Sequence, residues 1–113
     1  MNRSRVRLLS FHSYVLDLDR RVLSRDGYKI QMRPKAFDVL CYLAENAGRV
    51  IPKEEVMLAV WPHANVTDDS IVQCVKDIRQ ALGDNGQEIV TTISGRGYLF
   101  AADKGNPRSV SRP

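Results

Sequence analysis

Thr67-Asp68-Asp69-Ser70-Ile71-Val72-Gln73-Cys74-Val75-Lys76-Asp77-Ile78-Arg79-Gln80-Ala81-Leu82, closed by Gly83, is the stretch on which the reading of this chain turns. Ile71, Cys74, Val75, Ile78, Ala81 and Leu82 recur at helical spacing. At about 100° per residue they fall within an arc of roughly 120°. Val72, Gln73, Lys76, Asp77, Arg79 and Gln80 fill the opposite side. Thr67, Asp68 or Ser70 suits the N-cap, acidic charge lies near the positive helix end, and Gly83 suits the C′ position. The spacing therefore predicts a capped helix with a buried seam. Its outer face carries two cations and two glutamines, groups that reach phosphates and base edges. An ordinary amphipathic surface helix has the same pattern, so its neighbours decide between the two.

Towards the C-terminus, Asp84-Asn85-Gly86 is a turn, and residues 88–93 and 98–101 read as strands around Ser94-Gly95-Arg96-Gly97. Two glycines flanking an arginine predict a tight, exposed hairpin tip that carries one cation outward. Towards the N-terminus comes a loop, Pro62-His63-Ala64-Asn65-Val66, and before it a helix opened by Pro52-Lys53-Glu54-Glu55 and ended by Trp61-Pro62. Val56, Leu58, Ala59 and Val60 are its apolar residues, and its acidic first turn agrees with the helix dipole. Val50-Ile51 is long enough only for a bridge. Pro34 suits the first turn of an earlier helix, which Gly48 ends. Ala36, Phe37, Val39, Leu40, Cys41, Tyr42 and Leu43 make that helix apolar on nearly every side, as a central helix requires. Residues 6–11, 14–18, 21–24 and 28–32 read as short strands of an antiparallel sheet, with Asp26-Gly27 as a hairpin turn. The expected fold class is α+β: an N-terminal antiparallel sheet, three helices and a C-terminal β-hairpin. One domain spans 6–103, between a flexible basic stretch at 1–5 and a disordered basic tail at 104–113.

The chain of 113 residues, 43% hydrophobic and 27% charged, has the composition of a soluble globular domain. No apolar run approaches the roughly 20 residues that cross a bilayer, and the Arg-rich start lacks a following apolar segment, so the expected compartment is the cytoplasm. The net charge of +4 sits mainly at the ends: Arg3, Arg5, Arg7, Lys104, Arg108 and Arg112 leave 11 cations against 13 acids between residues 8 and 103. A nucleic-acid argument must therefore rest on where the core charges lie. Cys41 and Cys74 occupy apolar helical positions without metal-like spacing and read as buried thiols. His12 and His63 have no partner at metal spacing, and the acid pairs Asp17/Asp19, Glu54/Glu55 and Asp68/Asp69 each have a structural cause. No nucleophile-and-base arrangement presents itself, so neither an enzyme nor a cofactor or metal site is expected.

Three helices, the last with a polar outer face, followed by a hairpin with an Arg-bearing tip, describe a winged helix-turn-helix. With a sheet before the first helix, the chain resembles the OmpR/PhoB-type winged-helix DNA-binding domain of bacterial transcriptional regulators. The residues that carry the resemblance are Asp26-Gly27, Arg33-Pro34-Lys35-Ala36-Phe37-Asp38-Val39-Leu40, Asn46-Ala47-Gly48-Arg49-Val50 and Val60-Trp61. Val75-Lys76-Asp77-Ile78-Arg79-Gln80-Ala81-Leu82-Gly83 and Gly95-Arg96-Gly97-Tyr98-Leu99-Phe100 complete it, and the match runs over about residues 7–102.

The resemblance implies that the third helix, at about 69–82, enters the major groove of double-stranded DNA and that the wing, at about 94–97, reaches the minor groove. On that architecture Lys76 and Arg79 meet phosphates, Gln73 pairs with adenine, Val72 meets a thymine methyl, and Gln80 shares their face. Thr92 and Trp61 are candidates for phosphate contacts, with a core-edge role as the alternative for Trp61. Arg96 is the minor-groove candidate. The loop of Pro62, His63, Ala64, Asn65 and Val66 is where relatives touch RNA polymerase or a neighbouring protomer, and such domains usually bind direct repeats as head-to-tail pairs. Two departures stand out. Asp69 and Asp77 lie where relatives often have arginine or another polar group, and Ser94 stands where a basic wing residue is common. The alternative function is a protein–protein interaction module built on the same fold, which salt dependence of binding separates from DNA recognition.

Overall fold

Alternation of apolar and polar residues at the start of the chain produces a four-stranded antiparallel meander in the computed structural model, which describes residues 8–63, 66–84 and 88–101. Its strands are β1 (Leu8–Phe11), β2 (Tyr14–Asp17), β3 (Val22–Arg25) and β4 (Tyr28–Ile30), in that order across the sheet. Register aligns Leu9, Leu16, Leu23 and Ile30 in one row, and Ser10, Val15, Ser24 and Lys29 in the next. The first row faces the core, where Leu16 and Leu23 are fully buried. Asp26 and Gly27 both take positive φ (52° and 85°), as a two-residue hairpin between right-twisted strands requires.

Three strand ends of this sheet fall short of the sequence expectation: β4 stops at Ile30 rather than Met32, and the ends of β2 and β3 each have a local reason. Asp17 accepts from the backbone N–H groups of Asp19 (3.1 Å) and Arg20 (3.0 Å), which turns the chain before Leu18 can extend β2. Arg21 then sits at φ 57° and enters β3 only at Val22.

α1 (Pro34–Glu45) is the central helix, with Ala36, Phe37, Val39, Leu40, Cys41, Leu43 and Ala44 buried. After it come β5 (Val50–Ile51), α2 (Lys53–Val60), α3 (Asp68–Leu82), β6 (Val90–Ile93) and β7 (Gly97–Phe100). The two residues of β5 pair with β7, which pairs with β6, so the hairpin roots in a three-stranded sheet of order β5-β7-β6. The expected strand at 88–93 starts only at Val90. Buried Asp84 is the cause, since its carboxylate accepts from Glu88, Ile89 and Val90 N–H at 2.7, 3.0 and 2.9 Å.

α2 buries only Val56 and Val60, and Leu58 on its outer side is 70% exposed. Polar contacts fix the helices to their surroundings. Tyr14 donates to Leu82 O (2.5 Å), fastening the meander to the end of α3. Lys53 pairs with Asp68 (2.5 Å) between the starts of α2 and α3. Arg49 bonds both oxygens of Glu55 (3.2 and 2.6 Å), and Tyr42 donates to the same carboxylate. That pairing, with Arg49 the larger cause and Tyr42 the next, holds the Glu55 carboxyl down at about 2. Both cysteines are buried and neither forms a disulfide, and burial pushes the Cys74 thiol up. The expected basic segments 1–5 and 104–113 lie outside the described residues.

Candidate nucleic-acid interface

The seam of α3 buries Ile71, Cys74, Val75, Ile78 and Leu82, with Ala81 half-buried beside them. Thr67 holds the N-cap position with extended backbone (ψ 167°), but its hydroxyl does not cap the helix. Gly83 closes the helix at φ 61°, the left-handed conformation expected there.

The opposite face splits into two kinds of residue. Val72, Gln73, Lys76 and Gln80 are exposed and form one continuous surface, with Val72 at 45%. Arg79 and Asp77 are half-buried and already engaged. Arg79 Nε and Nη2 both donate to Val90 O (3.0 and 2.9 Å), and Nη2 also donates to Thr92 Oγ1 (2.8 Å). The helical pattern placed Arg79 on the outer face, whereas in the fold its guanidinium ties α3 to the first wing strand. A guanidinium carries five N–H groups, and Nη1 remains to meet an anion. Thr92 is exposed, and its hydroxyl keeps an O–H to donate.

Asp77, one of the two acids that depart from the family pattern, is also engaged within the fold. One carboxylate oxygen lies 3.3 Å from Arg33 Nε, and the other accepts from Gln73 Nε2 at 3.2 Å. Arg33 is the residue that sequence reasoning missed. It precedes Pro34 at the entrance to α1, 44 positions before Asp77, and no local periodicity links the two.

At the wing tip Ser94, Gly95 and Arg96 are exposed. The turn closes through Arg96 N–H to Ile93 O (2.9 Å), and Gly95 takes φ 74°. Gly97 serves a different purpose from the open turn expected of it. A Cβ there would lie 2.0 Å from Ile51 O and 2.7 Å from Ile51 C, so only glycine lets β7 approach β5 so closely. Among the earlier candidates, Trp61 is half-buried against the core, with Lys35 Nζ 6.0 Å from its ring centroid. In the loop between α2 and α3, Pro62 and His63 are exposed and Val66 is half-buried, while Ala64 and Asn65 lie outside the described residues. Among the described residues there is no group of three His, Cys, Asp or Glu side chains able to hold a metal, and no helix is long and apolar enough to cross a membrane.

Comparison with known proteins places this surface in a family. The family model "Transcriptional regulatory protein, C terminal" matches residues 27–100. The transcriptional regulator HilA of Salmonella typhimurium is 32% identical over 91 residues, which is 80% of this chain and 16% of HilA, so the chain spans about a sixth of that relative. The RstA DNA-binding domain of Klebsiella pneumoniae, solved in complex with the RstA box, superposes with a TM-score of 0.72 at 26% identity over 84% of this chain and 97% of that one. The response regulator DrrB of Thermotoga maritima, an OmpR/PhoB homolog, superposes with a TM-score of 0.76 at 31% identity over 83% of this chain and 44% of that one. A family model matched from Gly27 through β7, over β4, the three helices and the wing, settles the assignment: the chain belongs to the transcriptional regulatory protein C-terminal family, as an OmpR/PhoB-type winged-helix DNA-binding domain of bacterial transcription regulation.

Proposed function

We propose that the domain reads double-stranded DNA with α3 in the major groove and the wing tip in the adjacent minor groove. The observation that carries this reading is the continuous exposed face of Val72, Gln73, Lys76 and Gln80, joined to the wing through the Arg79 fork on Val90 and Thr92. One rigid surface thus presents a base-reading amide, a thymine-sized apolar group and phosphate-seeking cations at a fixed distance from Arg96. Lys76, Arg79 Nη1 and the Thr92 hydroxyl take phosphates; Gln73, Gln80 and Val72 meet base edges; Arg96 enters the minor groove. Trp61, held at the core edge, orients Lys35 and the α2 end rather than touching DNA. The loop of Pro62, His63, Ala64, Asn65 and Val66, which joins α2 to α3 in the sequence, serves RNA polymerase or a second copy bound head-to-tail on a direct repeat. Action on operator DNA places the protein in the cytoplasm.

Selection of bound duplexes from a random pool, repeated at two salt concentrations, tests the reading. The expected result is enrichment of a direct repeat spaced by about one helical turn, with affinity that falls steeply as salt rises. Lys76→Ala should weaken binding to every duplex and flatten the salt slope by about one unit. No enrichment at low salt would overturn the reading in favour of a protein-binding module.

A further inference from the structure

Gln73 is a base-reading candidate whose amide is already held before DNA arrives. Its Nε2 donates to Asp77 Oδ1 at 3.2 Å, one helical turn along α3. Asp77 Oδ2 in turn lies 3.3 Å from Arg33 Nε. The Asp77 side chain is only 15% exposed, whereas Arg33 is 70% exposed and stands outside α3 altogether. All three line an open cleft of about 640 Å3, whose other walls include Pro34, Trp61 and Ser70.

An ionised carboxylate only accepts hydrogen bonds, so it dictates which end of the amide turns towards it. The NH2 group of Gln73 faces Asp77, which leaves the carbonyl oxygen and one N–H directed away. Adenine displays an acceptor (N7) beside a donor (N6 amino group) in the major groove, and that pair matches a free amide N–H beside a free amide oxygen. A glutamine without an anchor reaches the same pose only by giving up rotamer freedom on binding. Arg33 closes the arrangement from the other side. It neutralises a carboxylate that would otherwise face phosphates, and it keeps that carboxylate from swinging away from Gln73.

We infer that Arg33 is a specificity-determining positioning residue: it holds Asp77, and Asp77 turns the Gln73 amide into an adenine-reading pose. The inference deepens the proposed function and rests on α3 reading the major groove.

The test uses the full chain and its preferred duplex, with three further duplexes carrying the other base pairs at the position where Gln73→Ala loses preference. Wild type should favour A·T there by about tenfold. Arg33→Met should cut the preference to about threefold or less, while a common loss across all four duplexes reports its removed charge. Arg33→Lys should keep more of the preference than Arg33→Met, because the cation remains beside Asp77. A uniform loss with the preference ratio intact, accompanied by a lower melting temperature, would make Arg33 structural and overturn the inference. In that outcome Gln73→Ala still abolishes the preference. If Gln73→Ala itself changes no base preference at any position, the reading of α3 fails and the inference falls with it, so the two failures are told apart by that one variant.

Discussion

The root and the tip of the wing belong to one short hairpin and follow opposite rules. At the root, Val90 O accepts twice from Arg79, Thr92 accepts once more, and Gly97 sits where a methyl group would collide with the β5 backbone. At the tip, Ser94, Gly95 and Arg96 face solvent, and a Cβ on Gly95 would meet nothing within 4 Å. The difference shows how a hairpin can present a cation accurately. Space and hydrogen bonds are used up where the strands leave the core, which fixes the direction of the wing. The tip itself is left open, so its side chain is free to adjust to a groove. Substitutions at the root should therefore change stability and binding together, and substitutions at the tip should change binding alone.

Gly97→Ala is the sharpest way to break the root. Gly97 has φ 142°, and the groups that a Cβ would strike are backbone atoms of Ile51 and Pro52, which cannot rotate aside. Left-handed strain and overpacking together should cost about 3 kcal/mol or more. For a domain of this size that lowers the melting temperature by roughly 12 °C or more. Thermal unfolding followed by circular dichroism measures it. A drop of only a few degrees would mean that β5 and β7 separate easily, and that the root is not a fixed base.

Arg79→Ala should have the next largest effect, and a mixed one. Val90 is a fully buried residue, and its carbonyl would lose both guanidinium donors, a loss worth about 1–3 kcal/mol. DNA affinity should fall at the same time, because Nη1 and the set of the wing go together. Arg79→Lys keeps the charge but not the fork, so it should recover less binding than a plain phosphate contact would allow. Denaturant midpoints beside binding curves separate the two contributions. A loss of affinity with unchanged stability would return Arg79 to the simple outer-face contact that its helical position suggests.

How far the sequence carried this picture follows from where each signal lies. The buried seam of α3 and the Gly83 stop are encoded within consecutive residues, and the structure has both. Pro34, the apolar run after it and the Asp26-Gly27 turn are equally local. The exposed set Val72, Gln73, Lys76 and Gln80 was legible for the same reason. What stayed hidden depends on partners far along the chain. Arg79 meets strand residues that the helix period cannot announce, Asp77 meets Arg33 from before α1, and Asp84 takes the backbone donors that would have lengthened β6. Gly97 was legible as a glycine but not as a contact, because the Ile51 backbone beside it comes from a two-residue strand.

The tip sets the remaining prediction, which has the smallest expected effect on the fold. Arg96 extends from a turn closed by its own N–H to Ile93 O, and its side chain is exposed. A cation so placed gains most in a narrow minor groove, where the negative potential is enhanced, so its contribution should follow A·T content. Arg96→Ala should therefore cost more affinity on sites with an A-tract beside the major-groove half-site than on G·C-flanked sites. Arg96→Lys should recover only part of the loss, because an ammonium is more strongly hydrated than a guanidinium and sheds its water less readily. Neither change should move stability by more than about 0.5 kcal/mol, since an exposed tip holds no core contact. Binding of the three proteins to both kinds of flank, measured beside their melting temperatures, decides the matter. Equal losses on both flanks would reduce Arg96 to a plain phosphate contact. A fall in melting temperature like that expected at the root would erase the distinction between the two halves of the wing.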